Sequence, residues 1–442
     1  MQRKNLIATL ALSAAAPALA ATGTVTFQNG VNGYTGTVNE LISTATADTV
    51  IAGTNILALD GLDSATPANS PDAQGLIRFD SIFGATASQI PAGATVLSAT
   101  LTLTTHNGSN SQSGGPYGVA TLLRPFDPAT TTYNNFVTDT TAPVGTPVNV
   151  GPSYLSGTAT RAIAGIGAQA INTTVSVNVT QAVRDWAAGT TPNYGFAVQA
   201  GTGGNSTDGW TVRSATHATV ASRPQLSVTY TTDPVSVTHL QQGVNGYSGT
   251  TMAYVQRDLT TDGQYISQNF LDLADPTVGD CTAVMRFDGL AAAKPTPDAV
   301  LLSATLVVST GESSDNSRSP GEWQLDALDA DFTVAKGYSE YGATGPSGTK
   351  LSSVTGMING SQALFDVTAY VQAALAGGTN YGWALRSAGT TDGWMINFTG
   401  AEDASARPDL QLVWSTASSV PEPTALATLA IGSLAMLRRR RA

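Results

Sequence analysis

The sequence has almost no cysteine and little histidine. Cys281 is the only cysteine among 442 residues, and the three histidines are His106, His217 and His239. A single cysteine excludes an internal disulfide, so a chain of this length must be stabilised by a buried apolar core. No two histidines have an H-x-x-x-H spacing, so the sequence gives no support to a zinc hydrolase. Cys281 alternates in phase with the apolar residues up to Phe287, which predicts a buried thiol.

Positive charge is also scarce. The chain has 20 Lys and Arg against 31 Asp and Glu, for a formal net charge of −11, and four of the arginines are the terminal run Arg438–Arg441. Such an acidic chain offers no basic stripe for phosphate groups, which argues against nucleic acid as a partner.

The first 20 residues have the pattern of a secretory signal. Arg3 and Lys4 precede an apolar run that ends in Ala18-Leu19-Ala20, a small-residue cleavage site. A membrane anchor is the alternative, but the run is shorter than the roughly 20 apolar residues that a spanning helix needs. We therefore expect signal peptidase to remove residues 1–20 from a secreted protein.

The C-terminal residues 415–442 read as a linker and a tail. Val420, Pro421, Glu422 and Pro423 precede an apolar stretch and then the four arginines. The tail resembles the PEP-CTERM sorting signal of Gram-negative bacteria that make exopolysaccharide, which implies an apolar tail helix, transient membrane anchoring and processing by an exosortase. The resemblance implies location at the cell surface or in the exopolysaccharide matrix. We expect deletion after Ser419 to leave folding intact.

The rest of the chain is a tandem repeat. "GVNGYTGT" at Gly30–Thr37 returns as "GVNGYSGT" at Gly243–Thr250, and further words return in the same order. These words are Arg78-Phe79-Asp80 with Arg286-Phe287-Asp288, "LSATL" at Leu97 and Leu302, Asn193-Tyr194-Gly195 with Asn380-Tyr381-Gly382, "TDGW" at Thr207 and Thr391, and Arg223-Pro224 with Arg407-Pro408. The repeat predicts two domains, residues 22–230 and 235–414.

Each copy has the pattern of antiparallel strands. Leu97, Ala99, Leu101 and Leu103 alternate with Ser and Thr, as do the matching residues of the second copy. One apolar face per strand, with Gly, Asn, Asp and Ser between strands, predicts an all-β fold of two tandem β-sandwiches. One short helix is expected in each copy, capped by Thr180 or Thr368 and ended by Gly189 or Gly377. Its apolar side comprises Ala182, Val183 and Trp186 in the first copy and Ala369, Val371 and Leu375 in the second.

Both copies resemble one known family over nearly all of their length. "FQNGVNGYTGT", "RFD", "IPAGATVLSATLTL", "VTQAVRDWAAGTTPNYGFAV" and "SRPQLSVTY" are similar to the DNRLRE domain, also classed as carbohydrate-binding module family 96. The resemblance implies a jelly-roll sandwich and extracellular polysaccharide, including anionic alginate-like polymers, as the ligand. The Trp-rich stretch that the family carries after the central strands is reduced here to Phe126, Tyr133 and Phe136 in the first copy and Phe332 and Tyr338 in the second.

A sugar site needs aromatic planes and a few convergent polar groups. The candidates for carbohydrate binding are Tyr34, Trp210, Tyr247 and Trp394 as aromatic platforms and Arg78, Arg213, Arg286 and Arg386 as cations. Each has a structural alternative: core packing for the tryptophans, cover of the sandwich edge for the tyrosines, and an ion pair within the fold for the arginines.

Acidic residues of the second copy suggest calcium as a cofactor. Asp272, Asp275 and Asp280 fall in one expected loop, and Asp326, Asp329 and Asp331 in another. Carboxylate oxygens suit Ca²⁺, and a bridging cation would let an acidic chain hold an anionic polymer. Solvated acidic loops are the alternative.

No catalytic constellation is evident. The chain has no G-x-S-x-G motif, and Asp80 and Asp288 are interpreted as strand-end residues that face their own arginines. The sequence therefore favours a non-catalytic, secreted polysaccharide-binding protein. A purely structural matrix or biofilm protein is the main alternative, and ice or mineral binding through Thr100, Thr102 and Thr104 is another.

Overall fold

Short antiparallel strands are the main secondary structure of the molecule. The computed structural model describes residues 22–51, 53–60, 73–114, 117–122, 124–138, 161–200, 209–257, 262–265, 270–273, 281–311, 319–334, 337–341, 345–357, 361–388 and 393–416. The strands of the first half are β1 (Thr22–Phe27), β2 (Thr37–Ser43), β3 (Ile56–Leu59), β4 (Ala73–Phe79), β5 (Thr95–Thr104), β6 (Tyr117–Thr121), β7 (Arg161–Ile166), β8 (Thr174–Asn178), β9 (Phe196–Ala200), β10 (Trp210–Arg213) and β11 (Gln225–Thr231).

The second half repeats the pattern. Its strands are β12 (Val235–Gln241), β13 (Thr250–Arg257), β14 (Asp262–Tyr265), β15 (Phe270–Leu273), β16 (Cys281–Phe287), β17 (Val300–Ser309), β18 (Ser319–Leu328), β19 (Gly348–Met357), β20 (Gln362–Asp366), β21 (Trp383–Ser387), β22 (Trp394–Asn397) and β23 (Asp409–Ser415). Helices are α1 (Tyr133–Thr138), α2 (Thr180–Ala188) and α3 (Thr368–Leu375).

Each half has the strand order of a jelly roll. In the first half one sheet has the order β1-β11-β5-β8 and the other β2-β4-β9-β6-β7; in the second half the orders are β12-β23-β17-β20 and β14-β13-β16-β21-β18-β19. When the two-stranded sheets β3-β10 and β15-β22 and the additional strands β2, β13 and β14 are set aside, eight principal strands remain in each half. Their orders, 1-8-3-6 and 2-7-4-5, are those of an eight-stranded jelly roll. The predicted all-β sandwich architecture is confirmed.

The two halves bury separate cores. Ala99, Leu101 and Leu103 point inward at 1% exposure or less, as the alternation predicted. The prediction is wrong for Leu97, because a bulge at this residue turns Val96 into the core in its place, and Leu301 replaces Leu302 in the second copy in the same way. Every described sheet takes its strands from one half, and each half has its own principal apolar cluster between its two sheets. Cys281 lies in the core of the second half, where Tyr254 donates its hydroxyl to Sγ at 2.6 Å. The predicted burial of this thiol is confirmed.

Helices α2 and α3 start differently from the prediction. Thr180 and Thr368 are the first helical residues, and their Oγ1 atoms accept the backbone N–H of Ala99 and Ala304, both at 2.9 Å. The predicted capping role is therefore wrong, because these hydroxyls tie each helix to the neighbouring strand. Gly189 ends α2 in the left-handed conformation, as expected. In α3 the side chain of Val371 is buried, but Ala369 is exposed and does not join the apolar side.

The first half carries a helix that the sequence pattern did not predict. Helix α1 and a short 3₁₀ turn at Thr44–Thr46 contact each other beside the larger sheet. Asn134 donates its backbone N–H to the carbonyl of Ala47 and its side-chain amide to Asp48, both at 2.8 Å.

The two sandwiches touch along one face of the second. Arg184 on α2 donates from Nη1 to Oε1 of Gln411 on β23 at 3.1 Å, and β7 lies against β19 and β20. Arg184 also donates to the carbonyls of Val96 and Leu97, and burial lowers its pKa to about 10.

Within the described ranges, no helix has both the length and the apolar character required to span a membrane. The expected signal at 1–20 and the tail residues 417–442, including the predicted tail helix and Val420–Pro423, lie outside the described residues.

Candidate functional site

The repeated word "GVNGY" forms the same turn twice. Gly30, Asn32 and Gly33 have φ values of 87°, 49° and 77°, and the matching residues of the second copy have 80°, 50° and 79°. The left-handed region explains the glycines and the asparagine. In both copies the first glycine donates its N–H to the tyrosine carbonyl at 2.8 Å, as Gly30 does to Tyr34.

The tyrosines of this turn are tied to the fold. Tyr34 donates its hydroxyl to the carbonyl of Asp80 at 2.8 Å, and Tyr247 donates to that of Asp288 at 3.0 Å. Both rings are half-buried, and burial raises the pKa of Tyr34 and raises that of Tyr247 to about 12. Their hydroxyls are therefore engaged in positioning the turn, which corresponds to the structural alternative for these residues.

The other repeated words hold this turn in place. Arg223 donates from Nη1 to the carbonyl of Asn29 at 2.9 Å, and Arg407 makes the matching bond to Gln242 at 2.8 Å. Asn193 donates its amide to the carbonyl of Phe79 at 2.8 Å, and Asn380 bonds Phe287 in the same way.

The Arg-Phe-Asp word forms an ion pair in each sandwich. Arg78 binds Asp80 with Nε at 2.5 Å and Nη2 at 3.1 Å, and its guanidinium lies 4.9 Å from the centre of the Phe126 ring. Arg286 binds Asp288 at 3.0 Å and lies 5.5 Å from the Phe332 ring. The prediction that Asp80 and Asp288 face their own arginines is confirmed.

The loop that supplies the phenylalanine differs between the copies. The first copy has Arg124-Pro125 before Phe126, whereas the second has Ala330-Asp331 before Phe332. Asp331 becomes a second carboxylate partner of Arg286. In the first copy Arg124 lies 4.9 Å from the Phe136 ring and donates from Nη1 to the Phe136 carbonyl at 2.6 Å.

These first-copy residues line a solvent-open pocket of about 550 Å³, here called the loop pocket. Its walls combine the Arg124 guanidinium, the Asp127 carboxylate and the Thr130 and Asn135 side chains with the exposed ring of Pro125, whereas Phe126 and Phe136 lie behind them at 3% and 2% exposure. The mixture of charged, polar and apolar surface suits a ligand with both hydroxyl groups and C–H faces. The sequence did not predict a binding site in this loop. The only signal was the group of aromatic residues Phe126, Tyr133 and Phe136.

Both candidate tryptophans lie in the core. Trp210 and Trp394 are 1% and 0% exposed, and each donates its indole N–H at 3.0 Å to a buried threonine, Thr105 or Thr310. Their ring faces contact protein, so the interpretation of these residues as sugar platforms is corrected to core packing.

The remaining candidate arginines have partners within the fold. Arg213 donates from Nη2 to the side chain of Asn172 at 2.8 Å. Arg386 donates from Nε to the carboxylate of Asp326 at 2.6 Å.

The calcium candidates fall in different environments. Asp326 lies on β18 instead of in a loop; it is fully buried and also accepts both bonds from the Gln324 amide. With its charge balanced by Arg386, it does not fit a calcium ligand. Asp329 is exposed, and Asp331 is paired with Arg286. The side chains of Asp272, Asp275 and Asp280 lie outside the described residues, and the described part holds no cluster of three metal-ligating side chains.

A buried acid was missed by sequence reasoning. Glu40 on β2 is fully buried; its Oε1 accepts the N–H of Ile51 at 2.9 Å, while Oε2 meets no donor among the described residues. Burial raises the pKa of Glu40 to about 7. The alternating strand pattern places residue 40 on the outward face of the larger sheet, where the chain at Ile51 folds back over it.

Comparison with known proteins gives little further guidance. No protein-family model and no curated protein matches the chain. A structure of PNGF-II in the C2 space group is 9% identical, with a TM-score of 0.21, and the match covers 87% of this chain and 66% of that one, just under two thirds. A structure of the Gt strain of infectious bursal disease virus is 12% identical, with a TM-score of 0.13 and coverage of 90% and 77%. At these TM-scores neither similarity bears on fold or function.

Proposed function

We propose that this is a secreted, surface-sorted, non-catalytic protein that binds extracellular polysaccharide, and that the first sandwich supplies the binding site. The observation that carries the proposal is the loop pocket, which is open and combines a cation, a carboxylate and amide and hydroxyl groups with the exposed ring of Pro125. The jelly-roll sandwich agrees with the carbohydrate-binding family that the sequence resembles.

The second sandwich acts mainly as a support in this proposal. Its corresponding loop has lost the Arg-Pro pair, and Asp331 adds negative charge beside Arg286. An anionic polymer would be repelled there, and Asp326 is not available to hold a bridging calcium ion. Signal peptidase and an exosortase remain the expected processing partners.

The test is affinity electrophoresis of the protein in gels that contain alginate, pectin or a neutral glucan, with and without calcium. Thr130→Trp fills the loop pocket at an exposed side chain and should reduce the retardation of mobility at least tenfold. The matched control is Val334→Trp on the corresponding loop of the second sandwich, which should leave mobility unchanged. Equal mobility in every gel, or equal loss for both variants, would contradict the proposal.

A structural matrix protein without sugar affinity is the second candidate. It is favoured by the engagement of the repeated side chains within the fold: Tyr34, Tyr247, Arg223 and Arg407 all bond backbone carbonyls. An unretarded but correctly folded and surface-located protein would support this alternative.

A further inference from the structure

An apolar pocket opens beside α3 of the second sandwich, and we call it the α3 pocket. Its volume is about 380 Å³, and its walls include Val300, Leu301, Leu375 and Trp414, with Lys294 and Gln372 among the polar lining residues. Among these residues Trp414 lies closest in sequence to the end of the described chain, which is Thr416.

One residue of the pocket wall, Trp414, also belongs to the apolar core of the second sandwich. It is 1% exposed, and its indole N–H is buried without a partner among the described residues, out of reach of an occupant of the pocket. Trp414 therefore offers an occupant only apolar surface.

The pocket wall also includes a cation. No carboxylate of the described residues forms an ion pair with Lys294. The preferred occupant therefore has aliphatic side chains and one negative charge.

The first sandwich shows which residues cover the equivalent surface beside α2. Arg184 and Gln372 occupy equivalent positions on α2 and α3, and both donate to a carbonyl of the adjacent strand, Val96 or Leu301. Arg184 extends further, to Gln411 of the second sandwich. In the first copy, the last strand of the second sandwich thus lies beside the helix. The second sandwich is followed in the chain by residues 417–442, which are therefore candidates to cover the α3 pocket.

We propose that the segment Val420–Leu426 of the same chain docks in the α3 pocket. Val420 and Leu426 provide aliphatic groups, and Glu422 is the only acid after Thr416 and matches Lys294. Pro421 and Pro423 add apolar ring surface and have no backbone N–H to leave unpaired in an apolar pocket.

The length of the connecting chain and the high local concentration both favour docking of this segment in the α3 pocket. Eight residues separate Trp414 from Glu422, and an extended chain spans about 3.3 Å per residue, so Glu422 has ample length to return to Lys294. A segment tethered so closely has an effective concentration in the millimolar range, and even weak contacts are then sufficient. The docked segment would hold the expected sorting motif against the protein. This inference does not depend on sugar binding.

Disulfide trapping in the full chain tests the proposal. Ala376→Cys places a thiol on an exposed residue of the pocket wall, and Val420→Cys places one in the segment; the native Cys281 is buried. Mild oxidation should give an intramolecular disulfide, seen as faster migration without reductant. The matched control pairs Val420→Cys with Ala188→Cys, the exposed equivalent on α2, and should form the bond at least tenfold more slowly.

Charge exchange provides a second measurement. Lys294→Glu should slow the formation of the intramolecular disulfide about tenfold, and the further substitution Glu422→Lys should restore the original rate. Equal rates for Ala376→Cys and Ala188→Cys, or absence of the bond in a folded protein, would overturn the proposal. A covalent dimer in place of the internal bond would also overturn it, because it would show that a second copy fills the pocket.

Discussion

The outward faces of the two four-stranded sheets have diverged although their inward faces have not. Val413, Val307 and Leu364 of the second sandwich are 1%, 5% and 8% exposed. The equivalent residues of the first sandwich are Thr229, Thr102 and Ser176, which are half-buried or exposed and bond through their hydroxyls. The first sandwich approaches the apolar face with α2 and β7, and its own matching face meets solvent.

This difference shows how a tandem repeat acquires an interface. The inward positions are constrained in both copies by the same core, so they remain apolar. The outward positions follow their surroundings, and exchange of Thr or Ser for Val or Leu is favourable only where another surface removes them from water. The Thr-rich face of the first copy is therefore the ordinary outcome for a half-exposed strand.

The largest effect is expected from a charge on the covered face. Val413→Asp should destabilise the second sandwich by about 3 to 5 kcal/mol, because the carboxylate would be buried without a partner. Thr229→Asp at the equivalent position should change stability by no more than about 0.5 kcal/mol. Urea unfolding of both variants measures the contrast, and similar losses would show that the two faces are equally buried.

The core tryptophans should give a smaller contrast. Trp210→Phe should cost about 2 to 3 kcal/mol, because it leaves the buried hydroxyl of Thr105 without its indole donor. Trp394→Phe should cost about 1 kcal/mol less, since Thr310 also bonds Ser361. Thermal unfolding checks this order, and neither variant should alter retardation by polysaccharide. A folded Trp210→Phe protein that loses binding would reinstate this residue as a sugar contact.

The first sandwich should respond to pH at one buried position where the second has no titratable group. Glu40 has its counterpart in Ala253, and the pKa of Glu40 is about 7 in the folded protein against about 4.5 in the unfolded chain. The folded state holds the proton more tightly, so the contribution of Glu40 to stability is fully present below pH 4.5 and falls by about 3 kcal/mol as pH rises to 7. Glu40→Gln should abolish this fall in urea titrations from pH 4 to 8. An unchanged slope in this variant would assign the effect to another group.

The smallest effect is expected at the half-exposed ion pairs. Asp80→Asn should cost about 0.5 to 1 kcal/mol, because Arg78 has no other carboxylate partner among the described residues. Asp288→Asn should cost less, since Arg286 retains Asp331. Chemical denaturation distinguishes the two variants if their losses of stability differ by more than about 0.5 kcal/mol. A larger loss for Asp288→Asn would mean that Asp331 does not help to balance the charge of Arg286.

The sequence predicted the features that depend on side-chain alternation, on turn residues and on neighbours in the chain. The inward phase of Ala99 to Leu103, the sandwich architecture, the αL end of α2 at Gly189 and the Asp80–Arg78 pair all follow from alternation, turn residues and adjacency. The resemblance to a family added the jelly-roll topology.

Long-range geometry accounts for what the sequence could not predict. The burial of Glu40 depends on a loop that folds back over its sheet, and the pairing of Asp326 with Arg386 depends on two strands that are 60 residues apart. The role of Thr180 as a tether depends on Ala99, which is 81 residues away. The loop pocket is lined by Arg124 and Phe136, which stack on each other. The amino-acid composition shows only that aromatic residues are few, and it does not predict this contact.

In each sandwich the first and last strands are neighbours. Thr22 pairs with Thr231 in one, and Val235 pairs with Ser415 in the other. The polypeptide thus enters and leaves each unit at adjacent points, so a duplicated gene segment yields a second complete unit without threading through the first. The same proximity makes either unit suited to circular permutation, with a short bridge over the old termini and new ones opened in an exposed turn.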